Sequence, residues 1–226
     1  MNWGYSCFDD MILSQLVKAG GTIGDRGKAG SAMQKPEEVL RYWLDEIGPK
    51  GWYASGPELD ADIRNQFIAS WEAAMEGACG LWLTYPVGTL AYIILTDQFP
   101  RNMFRDDAKA FESDRYARAA CKVAVTRDWD LRISEPARQF FYLPLMHSEN
   151  LVDQDRCVRL IAARMQRDLS DNLLHAQAHR DVIRQFGRFP FRNTALGRVS
   201  TPTEAAWLAA GAYGAAVRAL RDAQAA

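Results

Sequence analysis

Three histidines, His147, His175 and His179, and two Phe-Pro…Arg-Asn stretches carry most of the chemistry available to this 226-residue sequence. The first stretch reads QFPRN at 98–102 and the second RFPFRN at 188–193. Proline interrupts a helix and the adjoining Phe can anchor the interruption in a core, so Arg101 and Arg192 are expected to project from rigid corners. An arginine held that way is preorganised for bidentate contact with a carboxylate or phosphate. Arg105, Arg188 and Arg198 gather near the same two places. The competing reading is internal: each arginine braces its own turn, with Asp97 four residues before Arg101 as one such acid, while Asn102 and Asn193 cap helices.

A second cluster, LPLMHSENLVDQDR at 143–156, puts His147 and Glu149 directly after the apolar run Phe140 to Met146. There a buried helix face meets its end, and burial or a neighbouring acid can tune both groups for general acid–base work. The alternative is a histidine satisfying helix-end carbonyls and an acid opening the next helix. His175 and His179, four apart, share a helix face as metal ligands do, but no further ligand cluster accompanies them, so no metal or cofactor is read here. No Walker loop, GxGxxG, kinase set or serine elbow is present.

The elements that must position these groups are helical almost throughout. Pro36–Ile47 begins with proline and two glutamates and stops at Gly48–Pro49. In 57–78, Leu59, Ile63, Phe67, Trp71 and Ala74 or Met75 form one apolar stripe at helical spacing. Further helices are expected over 86–99, 107–127, 136–148, 150–168, 170–186 and 202–222, the last opened by a Thr201–Pro202–Glu204 capping box. No run of alternating β-branched residues appears, so the fold class is all-α, a bundle or stacked helical pairs. Residues 1–34, with five glycines in 18–31, read as a flexible N-terminal extension, and 35–226 as a single all-helical domain.

Composition narrows the function classes. With 27 Lys and Arg against 28 Asp and Glu, there is no global basic field to draw in nucleic acid. The uncharged stretch 77–96 has membrane-spanning length, but Pro86 and three glycines break it into two helix ends and a turn, so no membrane partner is expected. Four widely spaced cysteines, Cys7, Cys79, Cys121 and Cys157, read as free thiols, and Asp9 and Asp10 stand where a signal peptide would be apolar. The expected setting is the cytoplasm. The seven tryptophans read as packing anchors rather than base stackers.

Three blocks, LTDQFPRNMFRDDAKAFESDRYA (95–117), FYLPLMHSENLVDQDR (141–156) and HRDVIRQFGRFPFRNTALGRVSTPTE (179–204), resemble the signatures of the bacterial family called domain of unknown function 924. The resemblance spans about 36–209. It implies antiparallel helical pairs in a tetratricopeptide-like right-handed superhelix of seven to nine helices, and it implies no activity. The matching positions include Asp97, Gln98, Arg101, Asn102, Arg105 and Asp114, then His147, Ser148, Glu149 and Gln154, then His179, Arg180, Gly187, Arg188, Arg192, Asn193 and Arg198. The chain departs from the pattern at Phe191, where the family usually has histidine, and at Thr96, where it usually has leucine; His175 matches no family position.

These readings converge on one polar pocket for a small anionic metabolite, a carboxylate or phosphate. His147 or His179 would be the general base and Glu149 would tune the imidazole. Asp97, Arg101, Asn102, Arg105, Arg188, Arg192, Asn193 and Arg198 would surround the substrate. The rival is a helical scaffold whose groove takes a peptide or protein partner, with the same charges as internal braces.

Overall fold

The computed structural model describes residues 33–54, 56–167 and 169–225. These are helices and turns with no strand among them. The expected flexible extension, 1–34, lies outside the described residues except for its last two. Of these, Gln34 donates its backbone N–H to Ser70 Oγ at 2.8 Å.

Helix α1 (Pro36–Leu40) widens into a π-helical stretch over Arg41–Ile47 and gains one more turn at Gly48–Gly51, past the expected stop. Helix α2 (Pro57–Met75) is the amphipathic helix read from the stripe, and it ends before Gly77 at φ +89°. A 3-10 turn (Gly80–Thr84) leads to α3 (Pro86–Ile93). Among the described residues no helix is long and apolar enough to cross a membrane.

The first proline corner is not a corner. Helix α3 runs on through a π-turn (Ile94–Gln98) into a further α-helical turn (Phe99–Met103) that contains Pro100. Proline has no N–H for the carbonyl of Thr96, four residues earlier. That carbonyl accepts instead from Ser113 Oγ at 2.6 Å, and Ser113 Oγ in turn accepts from Trp71 Nε1 at 3.0 Å. The widened turn absorbs the ring and the lost bond is replaced from outside the helix, so the chain bends without breaking.

The expected helix at 107–127 is a 3-10 turn (Ala108–Phe111) followed by α4 (Asp114–Thr126). That at 136–148 is a 3-10 turn (Ala137–Phe141) and a short helix (Leu143–Met146). Helix α5 (Leu151–Arg164) is capped by Asn150 Oδ1, which accepts from Val152 N at 2.9 Å, and it packs along α6 (Leu169–Phe186). The second proline motif is a true corner: Gly187 at φ +70° ends α6 and a 3-10 turn (Pro190–Arg192) follows.

The expected last helix is two. Helix α7 (Pro202–Ala209) starts with the capping box as read, Thr201 N donating to Glu204 at 2.7 Å and Glu204 N to Thr201 Oγ at 3.2 Å. Gly211 at φ +101° and Ala212 at φ +48° then reverse the backbone before α8 (Ala212–Ala225). Left-handed dihedrals cannot continue a right-handed helix. The break lets Val217 and Tyr213 pack with Leu174 and Ala178 of α6.

The core is aromatic. Phe99, fully buried, meets Phe67 at 4.6 Å, Trp43 at 5.4 Å and Tyr42 at 6.1 Å between ring centres, so α1, α2 and the bent end of α3 share one cluster. Trp43, Trp52, Trp71, Trp82 and Trp129 are buried, in keeping with the reading of the tryptophans as anchors, while Trp207 is only partly buried and meets Phe186 at 5.4 Å.

Truncating Phe99 to Ala should cost about 3–5 kcal/mol, because it empties a site no neighbour can refill; a urea midpoint shift near zero would show that the bend is held without it. Thr201→Ala should cost about 0.5–2 kcal/mol in the same assay by removing the α7 cap.

Candidate functional site

Asp97, in the π-turn that continues α3, has no exposed surface. Its two carboxylate oxygens lie 2.9 and 3.0 Å from His147 Nδ1, and Gln98 Nε2 donates to it at 2.5 Å. Arg101, one turn on, donates to the Asp97 carbonyl and reaches the carboxylate at 3.6 Å. Burial alone would raise the Asp97 pKa, but His147 and Arg101 hold it well below the usual carboxylate range. Burial and Arg101 push His147 below its ordinary value despite Asp97, so the pair is a carboxylate beside a neutral imidazole at neutral pH.

Arg101 also grips Asp114, the first residue of α4, with contacts of 3.0 and 3.1 Å. Oδ2 of that carboxylate, which accepts from Arg101, also faces Arg192 from the second corner, at 3.7 Å. Arg192 is 7% exposed, its guanidinium sits over the rings of Phe111 and Phe189 at 4.6 and 4.5 Å, and its Nε has no hydrogen-bond partner among the described residues. Burial, with Arg101 nearby, lowers its pKa to about 10.

His179 meets this group from α6, its ring 6.3 Å from His147 and 5.5 Å from Phe189. Burial and His147 push its pKa down to about 3. Its Nδ1 lies 2.9 Å from the His175 carbonyl and 3.0 Å from the Tyr213 hydroxyl, which is 2.7 Å from His175 Nδ1. The i,i+4 histidine pair is thus tied together through a tyrosine. Among the described residues no group of three or more His, Cys, Asp or Glu could hold a metal ion.

The structure therefore joins Asp97, Arg101, His147, His179 and Arg192 and separates them from the other expected site residues. Arg105 and Asn102 both bind Asp60 of α2, Arg105 through two bonds of 2.6 and 2.8 Å and Asn102 through one of 2.9 Å. Arg188 makes a two-pronged pair with Glu204, at 2.6 and 2.8 Å, and Asn193 donates to Ser200 Oγ at 3.0 Å. Arg198 pairs with Glu149 at 2.7 and 2.9 Å. For these five the bracing reading describes the geometry. Glu149, expected to tune His147, instead accepts from Arg198 and from Phe189 N at 2.8 Å, and these bonds outweigh its burial and lower its pKa. The acid on His147 is Asp97, expected as a substrate contact.

Sequence reasoning missed Tyr213, because a lone tyrosine in an alanine-rich helix carries no motif. It missed the aromatic seat of Arg192 too: Phe111 and Phe189 are ordinary core residues until the arginine lies over them. Asp114 entered only as a matching position. Phe191, the departure from the family pattern, is 41% exposed and stacks on Phe189 at 5.2 Å. Close to the arginines, a shallow surface depression of about 450 Å3 is walled by Ala108, Lys109, Phe111, Glu112 and Leu196.

Comparison with known proteins agrees with the sequence blocks. A protein of unknown function from Agrobacterium tumefaciens has a similar solved structure, with a TM-score of 0.72 and 35% identity over 76% of this chain and 96% of that one. No curated protein matches the chain. The family described as a bacterial protein of unknown function, DUF924, matches residues 39–212, and the chain belongs to it.

Proposed function

We propose that this is a cytoplasmic protein that binds a small carboxylate or phosphate anion at the cluster joining the α3 bend to the second proline corner, with His147 as the general base that acts on it. The frame would be the tetratricopeptide-like superhelix implied by the family resemblance. Free, buried Cys79, Cys121 and Cys157 support the reducing setting.

Arg192 carries the reading. Among the five arginines near the proline motifs, Arg101, Arg105, Arg188 and Arg198 each hold an acid at 3.1 Å or closer. Arg192 has one acid at 3.7 Å, already shared with Arg101, and an orphaned Nε in a buried, aromatic seat. Burying a guanidinium without close partners costs several kcal/mol, and an anion completing its bonds would remove that cost. Phe111, beneath both Arg192 and Arg101, also walls the surface depression, which gives the anion an approach.

Beside that anion, His147 is equipped as a base. Asp97 orients its ring and would stabilise the imidazolium once formed, the role a buried carboxylate plays behind a catalytic histidine. His179, held near pKa 3, is far too weak a base for neutral pH. Glu149 and Arg198 act at one remove, by fixing the Phe189 segment under Arg192.

A thermal-shift screen of phosphorylated and carboxylated metabolites should give a hit worth about 2.7 kcal/mol at 100 times its dissociation constant. Arg192→Ala should weaken that hit at least tenfold, roughly the loss of one charged hydrogen bond, while Arg105→Ala leaves it unchanged. A flat screen would turn the reading toward the peptide-binding scaffold.

The two partly buried histidines also set a pH dependence. Both have folded pKa values below the ordinary 6.5, so the unfolded chain takes up protons that the folded chain refuses once pH falls below about 6.5. Stability should therefore decline on acidification, by up to about 1.4 kcal/mol per pH unit for each group. For His179 the decline should persist to about pH 3. Urea titrations at pH 7, 6 and 5 should show this slope in the parent and a shallower one in His179→Gln; equal slopes would remove His179 as a source.

A further inference from the structure

The hydrogen bonds around Tyr213 fix more than a helix contact. A backbone carbonyl can only accept, so His179 Nδ1, 2.9 Å from the His175 carbonyl, must carry the hydrogen. The same N–H then faces the Tyr213 oxygen at 3.0 Å, which leaves the tyrosine hydrogen free to point at His175 Nδ1, 2.7 Å away. With Nδ1 of His179 committed as a donor and the ring neutral, Nε2 is left with its lone pair. His147 reaches the same state by another route: Asp97 is an ionised acceptor at 2.9 Å from Nδ1, so Nδ1 holds the hydrogen and Nε2 the lone pair. Two neutral imidazoles, 6.3 Å apart between ring centres, thus both offer an accepting nitrogen. Both Arg192 and His179 lie against the Phe189 ring, so the donor-rich guanidinium and the accepting histidine share a wall.

We infer that the ligand is an anion that also bears a hydrogen-bond donor, a hydroxylated carboxylate or a hydroxylated phosphate ester, its charge on Arg192 and its hydroxyl on His147 or His179. The inference rests on the anion-binding reading above and names the class of molecule that site takes. A partly buried acceptor still discriminates, because an analogue lacking the hydroxyl leaves its lone pair without that partner. It also gives His147 a proton to remove: the hydroxyl proton passes to Nε2 while Nδ1–H stays on Asp97, so the ring becomes imidazolium and the ligand oxygen gains the negative charge. Tyr213, on α8, is a positioning residue in this scheme, since it accepts from His179 Nδ1 beside the His175 carbonyl and, by donating to His175 Nδ1, ties the two histidines together from outside the site.

Long-range proton–nitrogen NMR of the full chain reads the tautomers directly, and the chain has only three imidazoles to assign. At pH 7 both His147 and His179 should be neutral with hydrogen on Nδ1; hydrogen on Nε2 of both rings, or both rings charged, would overturn the inference. Tyr213→Phe should convert His175, and not His147, to a mixture of tautomers; an unchanged His175 would remove the tyrosine from the scheme. Calorimetry then compares lactate with propionate, and glycerol 3-phosphate with propyl phosphate. The hydroxylated member of at least one pair should bind roughly three- to tenfold tighter, the worth of one hydrogen bond, and which pair responds separates carboxylate from phosphate. Equal binding within each pair, lost in Arg192→Ala, would leave the anion site standing and sink the hydroxyl. No binding by any of the four, with a flat metabolite screen, would sink both.

Discussion

An ionised carboxylate with no exposed surface, Asp97, is the group around which the polar part of this molecule is arranged. Taking such a charge out of water costs several kcal/mol unless neighbours replace the lost solvation. Here the replacement comes from three directions: Gln98 beside it, Arg101 one turn along, and His147 from the end of the Leu143–Met146 helix. Removing any one leaves the charge less than satisfied, so the Leu143–Met146 turn and α3 are held in register by electrostatics as well as by the aromatic core. Asp97 lies in a stretch, Gly88–Pro100, that is buried throughout, and Pro100 is tolerated there because Ser113 satisfies the carbonyl the proline abandons.

The helical class was legible because its signals are local. Apolar residues at steps of three and four, proline in the first turn and the Thr201–Glu204 box depend on residues a few positions apart. What escaped depends on the rest of the chain. Pro100 looks like a helix breaker in isolation, yet a hydroxyl thirteen residues on keeps the helix running. The interruption at 211–212 hides in an alanine-rich stretch of high helix propensity, and only a left-handed pair of residues reveals it. That interruption matters to the site, because an unbroken helix over 202–222 would not deliver Tyr213 where it is found.

The same distinction governs the site residues. Sequence proximity suggested Glu149 as the acid for His147, two positions away, but a turn points the two side chains to different partners and Asp97, fifty positions away, takes the role. The five arginines looked equivalent as sequence. They differ in how closely an acid approaches the guanidinium, a long-range property that only the folded chain decides. Glu204 illustrates how fully an acid can be committed: Arg188 and the Thr201 N–H together hold its pKa near 2, leaving nothing for a ligand. Bracing therefore describes most of the charged positions shared with the family blocks, and Arg192 stands apart because its one acid, Asp114, lies at 3.7 Å and is shared with Arg101.

That division of labour bears on which chemistry the cluster can support. Two histidines sit side by side, and equal burial would make them interchangeable, but only one has a carboxylate behind it. Asp97 opposes the desolvation of His147 and stabilises its charged form, whereas His179 has a carbonyl, a tyrosine and a second imidazole, none of which can carry negative charge at neutral pH. A proton arriving between them therefore goes to His147. In the proposed scheme His179 would stay a neutral acceptor, and its proximity would raise the cost of charging both rings at once, confining any imidazolium to the ring that Asp97 supports.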